Sequence, residues 1–248
     1  MMTIKPGMHS FGRLWLLAAV LFTAVAQAQA PVNLDGFWNV KKERKPSGTE
    51  LFAKIPKGAI FIDDAGAGEL AKGDYAGLQL SDAAKAAIKS YDFKSEFDRN
   101  KTCIAPSVVF YMQAPFPMEI HQADKLIVLK MEYFDMVRLI FMDGRKIPAD
   151  APLSKNGFSV GHWEGDELVV ETGRIEAGTF MNNGFDHSDN IKMTERFKLS
   201  KDGKTLWLIQ IYEDPEVFKG QSARYMAFSK QVGQYVFPYE CDPFFFGR

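Results

Sequence analysis

From Pro115 onward, apolar and polar residues alternate in short runs closed by turn pairs, the pattern of strands joined by tight turns. Lys125 to Tyr133 is one dense apolar run and Met136 to Met142 another, the latter closed by Asp143-Gly144. Gly157 to Trp163 follows, and the turn Glu164-Gly165 leads into Asp166 to Thr172. Ile191 to Leu199 alternates cleanly, and Asp202-Gly203 turns it into Lys204 to Tyr212. Arg224 to Ser229 and Gln234 to Tyr239 are weaker strand signals. Asn33 to Val40 reads as a turn entering a strand, and Ala59 to Ile62 as a short strand. One helix is expected. Ser81 is its N-cap, Asp82 lies in its first turn, and an Ala/Lys-rich stretch carries it to about Tyr91, with Phe97 as its outer limit. The pattern predicts a mainly β fold, an antiparallel lipocalin-like barrel with one short helical segment, since closure removes exposed strand edges.

The N-terminus has a different grammar. Lys5 and Arg13 precede the apolar run Leu14 to Val25, and Ala26-Gln27-Ala28 and Ala28-Gln29-Ala30 follow. Charge, apolar run and small residues in that order make a secretory signal peptide over 1–28, with a single β-rich domain over 29–248. A retained N-terminal anchor is the alternative. No second hydrophobic span follows, so no membrane span is expected after signal removal, and the location is periplasmic or secreted.

The formal net charge is -1, without the basic excess that nucleic-acid binding requires. Cys103 and Cys241 are the two cysteines, an even pair that an oxidising compartment would join as a disulfide; two separate buried thiols are the alternative. The chain is 13% aromatic, with 21 Phe, enough to line an apolar pocket as well as a core.

Candidate chemistry comes from polar residues on apolar faces. In Ile191 to Leu199 the apolar face is Ile191, Met193, Phe197 and Leu199, with Glu195 among them. A carboxylate pointing into a barrel is either a general acid/base or half of an ion pair, for instance with Arg138. Arg138 is flanked by apolar residues on both sides. It fits an outward arginine whose stem covers apolar surface, or a ligand clamp. Glu119 pairs in face with His121, and His162 with Glu164. Such pairs suit acid/base work near neutral pH, or a surface pair beside a turn. His187 stands in the polar stretch Asn182 to Asp189, read as a loop between strands that either carries function or is a solvated connector. Ser188 beside it lacks the strained turn of a nucleophile elbow. His121, His162 and His187 are too widely spaced to predict a metal site. Gly66-Ala67-Gly68 lacks the third glycine of a dinucleotide loop, and no cofactor is expected. Phe244-Phe245-Phe246 is either packed beside Cys241 or a patch for a partner.

Several of these segments together resemble a known pattern. They are Arg138 to Arg145, Ser159 to Thr172, His187-Ser188, Thr194 to Phe197, Glu213-Asp214-Pro215 and Glu240-Cys241. Their order is similar to that of a bacterial exported β-rich family. His162 stands where that pattern has Arg, Glu171 where it has Asp, and His121 where an apolar residue is usual. The resemblance covers about Cys103 to Cys241. It implies a compact β-rich domain and no particular reaction.

The expected function is an exported small-molecule enzyme without cofactor, a lyase, isomerase or hydrolase acting on an apolar or aromatic substrate. Glu195 would be the base, His187 a second proton carrier and Arg138 a charge stabiliser. Tyr133, Phe141, Trp163 and Trp207 would form pocket walls, with His121 and His162 adding specificity. The alternative is a non-catalytic binder or carrier of an apolar ligand. A third reading is an envelope scaffold docking a partner through its Phe-rich end.

Overall fold

The computed structural model describes residues 1–3, 32–41, 50–63, 70–92 and 103–242. The segment expected to be a signal peptide, apart from Met1–Thr3, lies outside them, as do Gly66-Ala67-Gly68, Phe97 and Phe244-Phe245-Phe246.

Twelve strands are described: β1 (Gly36–Lys41), β2 (Ile60–Phe61), β3 (Met118–Ala123), β4 (Leu126–Met131), β5 (Val137–Phe141), β6 (Phe158–Glu164), β7 (Glu167–Gly173), β8 (Gly178–Met181), β9 (Phe185–His187), β10 (Lys192–Leu199), β11 (Thr205–Glu213) and β12 (Gln221–Gln231). Nine of them close a barrel in the order β1-β3-β4-β5-β6-β7-β10-β11-β12, with β12 returning to β1. The mainly β, lipocalin-like barrel expected from the alternation is the fold observed. Pairing around the barrel is antiparallel except at one seam, and one short strand outside the ring also pairs parallel. β5 and β6 run parallel over Ile140↔Ser159 and Phe141↔Val160, because residues 142–157 carry the chain back along the barrel before β6 begins. β2 also lies parallel to β12.

Alternation along β10 shows why the barrel forms. Met193, Glu195 and Phe197 are buried, while Lys192, Thr194, Arg196 and Lys198 face outward. The outward cations lace the β6–β7 turn to β10. Arg196 Nη1 lies 2.8 Å from Glu164 and 3.1 Å from Glu167, and Lys198 Nζ lies 3.0 Å from Asp166. Inside, Trp38, Met118, Ile127, Leu168, Phe197, Leu208 and Phe228 belong to one core. Each such side chain contributes about 1.5–3 kcal/mol on burial.

The two ends of the barrel differ. At one, the hairpin end, lie the β3–β4, β6–β7 and β10–β11 turns. The other is filled by α2 (Val108–Tyr111), all four of whose residues are buried, and by the β8–β9 hairpin packed beside it. α1 (Asp82–Lys89) flanks that hairpin. Ser81 Oγ caps it by accepting from Ala84 N at 3.2 Å, as expected.

Gln234 to Tyr239 is not a strand. This segment is a strap whose backbone N–H groups at Phe237 and Tyr239 donate to Glu132 and Asp135, each at 3.1 Å. Tyr239 stacks on Phe134 and meets Phe116 and Tyr133 edge-on. The strap then reaches Cys241, which is disulfide-bonded to Cys103.

Candidate functional site

Arg138 does not face outward. β5 turns Val137 and Leu139 to solvent, 47% and 44% exposed, and puts Arg138 inside at 0%. There its Nη2 forms an ion pair with Glu195 Oε2 and a 2.8 Å hydrogen bond to Thr172 Oγ1, and its Nε donates to Ser159 Oγ at 3.0 Å. The other oxygen of Glu195 accepts from Gln210 Nε2 at 3.0 Å. Gln210 Oε1 accepts from Tyr212 at 2.8 Å, and Gln113, just past α2, donates to the Tyr212 oxygen at 3.1 Å. Burial works against the Arg138 charge, but the Glu195 carboxylate more than offsets it and holds the guanidinium above its ordinary pKa. Burial also pushes the Tyr111 and Tyr212 phenols up, so both remain protonated donors. Glu195 therefore occupies the inward position expected of it, as one half of a closed ion pair.

His187 does not lie on a polar loop. Asn182 to His187 is the turn and second strand of the β8–β9 hairpin, and His187 is only 2% exposed. Its Nδ1 lies 2.9 Å from the Ser188 carbonyl oxygen, which can only accept, so Nδ1 carries the proton. Its Nε2 lies 2.7 Å from Ser107 Oγ, so in the neutral imidazole the Ser107 hydroxyl donates to it. Burial lowers the His187 pKa, keeping the ring neutral at neutral pH. Ser188 is itself held by Asp214, which accepts from its N–H and its hydroxyl at 2.7 Å each. Glu195 and His187 share no hydrogen bond. The structure joins Glu195 to Arg138 and His187 to Ser107.

The predicted wall residues scatter. Phe141 lies on the outer face, stacked on Phe158 and covered by Arg145 at 4.0 Å. Trp207 is also outward, packed on a small cluster that includes Leu51 and Ile209. Tyr133 stacks on Phe116 near the strap. Trp163 packs against the main core at the hairpin end of β6, as Tyr133 does near the other end. His121 and His162 are on the outside, 3.6 Å and 3.2 Å from Glu119 and Glu164. Arg196, then His162, hold the Glu164 carboxyl below its usual range.

Among the described residues, three grooves stand out. One of about 540 Å³ opens at the hairpin end, between Gln122, Ile127, Met142, Gly161, His162 and Trp163. Gly161 sets its floor, since a Cβ there would come within 2.7 Å of Met142 Sδ and 2.9 Å of Ile140 Cγ2. A second, of about 380 Å³, lies at the filled end, bounded by Ile104, Ser107, Phe110, Tyr133, Lys155 and Gly178. The third, about 570 Å³, runs between Ile147, Glu171, Arg174 and Lys192. Glu195 lines none of them.

Sequence reasoning missed Gln210 and Ser107. Gln210 was open to the argument that found Glu195, being polar on the inward face of Leu206, Leu208 and Tyr212. Ser107 had only a helix-cap signal, and its side chain makes no cap hydrogen bond.

A closed nine-stranded barrel with a polar ion-paired interior and grooves at its ends defines the class of fold. Comparison with protein families and with curated proteins finds no match for this chain.

Proposed function

We propose that this is an exported bacterial protein that binds and carries an apolar or aromatic small molecule in the groove at the hairpin end. The observation that carries the reading is Trp163, turned inward at the end of β6 beside Met142 and Ile127 in a groove of about 540 Å³. A half-buried indole offers a flat apolar wall, while Gln122 and His162 supply polar contacts at the rim. Export is supported by the leader pattern and by the Cys103–Cys241 disulfide, a bond favoured in oxidising compartments. Kinship with the exported β-rich family belongs to the same proposal, resting on motif order. Catalysis by Glu195 loses support, because its carboxylate is engaged by Arg138 and Gln210 away from every groove described.

The test is ligand capture. Mature protein purified from its host's envelope is examined by native mass spectrometry, beside Trp163→Ala. A small molecule retained unchanged by the wild type and lost from Trp163→Ala is the expected result. A compound consumed by the wild type on incubation, or one held equally by both forms, overturns the reading. A second reading, an enzyme, is favoured by the contact between Ser107 and His187.

A further inference from the structure

We propose that Ser107 and His187 form a nucleophile–base pair that hydrolyses small carboxylic esters at the filled end of the barrel. The proposal goes beyond binding at the opposite mouth and does not depend on it.

Four features of the pair and its surroundings fit this chemistry. The Ser107 hydroxyl donates to Nε2 at 2.7 Å, within range for proton transfer as the oxygen attacks. The proton on Nδ1 is fixed by the Ser188 carbonyl at 2.9 Å, leaving Nε2 with the lone pair a base needs. Asp214 holds Ser188 through two 2.7 Å hydrogen bonds and so sets the position of that carbonyl. Asp214 is thus a positioning residue. Burial disfavours the imidazolium, so the ring rests neutral at neutral pH with the Nε2 lone pair free to take the Ser107 proton.

The surroundings limit the substrate. Ser107 forms part of the wall of a groove of about 380 Å³, which suits a short acyl group on a modest alcohol. Ile104, Phe110 and Tyr133 give it apolar walls, while Thr179 and Asn182 bring polar side chains to the same groove. Gly178 faces the pair: a Cβ there would lie 3.8 Å from His187 Nε2 and 4.0 Å from Ser107 Cβ. Ser107 is covered in the resting structure, so part of the groove wall must move for the ester to reach it.

In the step proposed, Ser107 Oγ bonds to the acyl carbon as its proton passes to Nε2. The carbonyl π pair moves onto oxygen. Collapse breaks the bond to the alcohol, which leaves with the proton from Nε2. Water then attacks the acyl-serine, its proton again going to Nε2. The carboxylic acid departs, and Ser107 regains its hydrogen.

The full mature chain is incubated with p-nitrophenyl acetate, and separately with phenylmethanesulfonyl fluoride followed by intact-mass and peptide mapping. A burst of p-nitrophenol and one sulfonyl adduct on Ser107 are expected. Turnover should fall at least a hundred-fold in Ser107→Ala and in His187→Gln, with circular dichroism confirming the fold. Turnover undiminished in a folded Ser107→Ala overturns the proposal. Should that variant fail to fold, the wild-type adduct decides, because an adduct elsewhere, or none, overturns it equally.

Discussion

Arg138 and Glu195 stand 57 residues apart in sequence and meet as an ion pair inside the barrel, neither with any surface in water. Such a pair recovers its desolvation only through mutual attraction and the remaining hydrogen bonds, which here come from Ser159, Thr172 and Gln210. Removing one partner leaves the other charge buried alone. Glu195→Ala is expected to destabilise the fold by about 3–5 kcal/mol in urea unfolding. The double variant Arg138→Met, Glu195→Leu should recover most of that loss. A Glu195→Ala midpoint equal to the wild type would refute the structural role.

The Cys103–Cys241 bridge spans 138 residues and ties the strap to the segment leading into Ser107. Replacing both cysteines by serine should cost about 2–5 kcal/mol, through greater freedom of the unfolded chain. Thermal unfolding of the oxidised protein against that variant measures it, and identical midpoints would contradict the expectation.

His187 makes stability depend on pH. Its folded pKa lies below the ordinary value of 6.5, so below that value the unfolded chain binds the proton more readily than the native one. This contribution is fully present above pH 6.5 and is lost as pH falls from there through the depressed folded value. His187→Gln should flatten that part of the stability–pH curve. An unchanged slope in the variant would assign the acid sensitivity to other groups.

Gly161 allows Met142 and Ile140 to close the floor of the hairpin-end groove. Gly161→Ala forces both aside and should cost about 1–3 kcal/mol as overpacking. Calorimetry on the purified variant checks this, and a midpoint at or above the wild type would show that the neighbours yield freely.

The inward position of Glu195 was legible because β10 has one plainly apolar face and one plainly charged face. Arg138 was not, because Val137 and Leu139 are apolar yet face solvent, so both faces of β5 read alike. Phe141 misled for a related reason: outside the barrel it is covered by Phe158 and the Arg145 guanidinium, which also holds the Asp143 carboxyl down to about 2. The strand-like pattern of Gln234 to Tyr239 carries no information about its partners, which are two carboxylates on a distant turn. Ser107 and His187, 80 residues apart, meet only because α2 packs against the β8–β9 hairpin. That long-range packing leaves no local trace in either segment.

The seam that closes the barrel joins its earliest strand to its last, Phe37 opposite Gln231 and Lys41 opposite Ala227. Synthesis delivers β1 long before β12. Until β12 emerges, β1 and β11 each keep an open edge that can recruit a strand from another chain. Closure of the barrel must therefore wait for β12 and is slowed by a pairing of very long sequence separation. A barrel left open until its last strand arrives is one for which a helper that shields bare strand edges would have most to do.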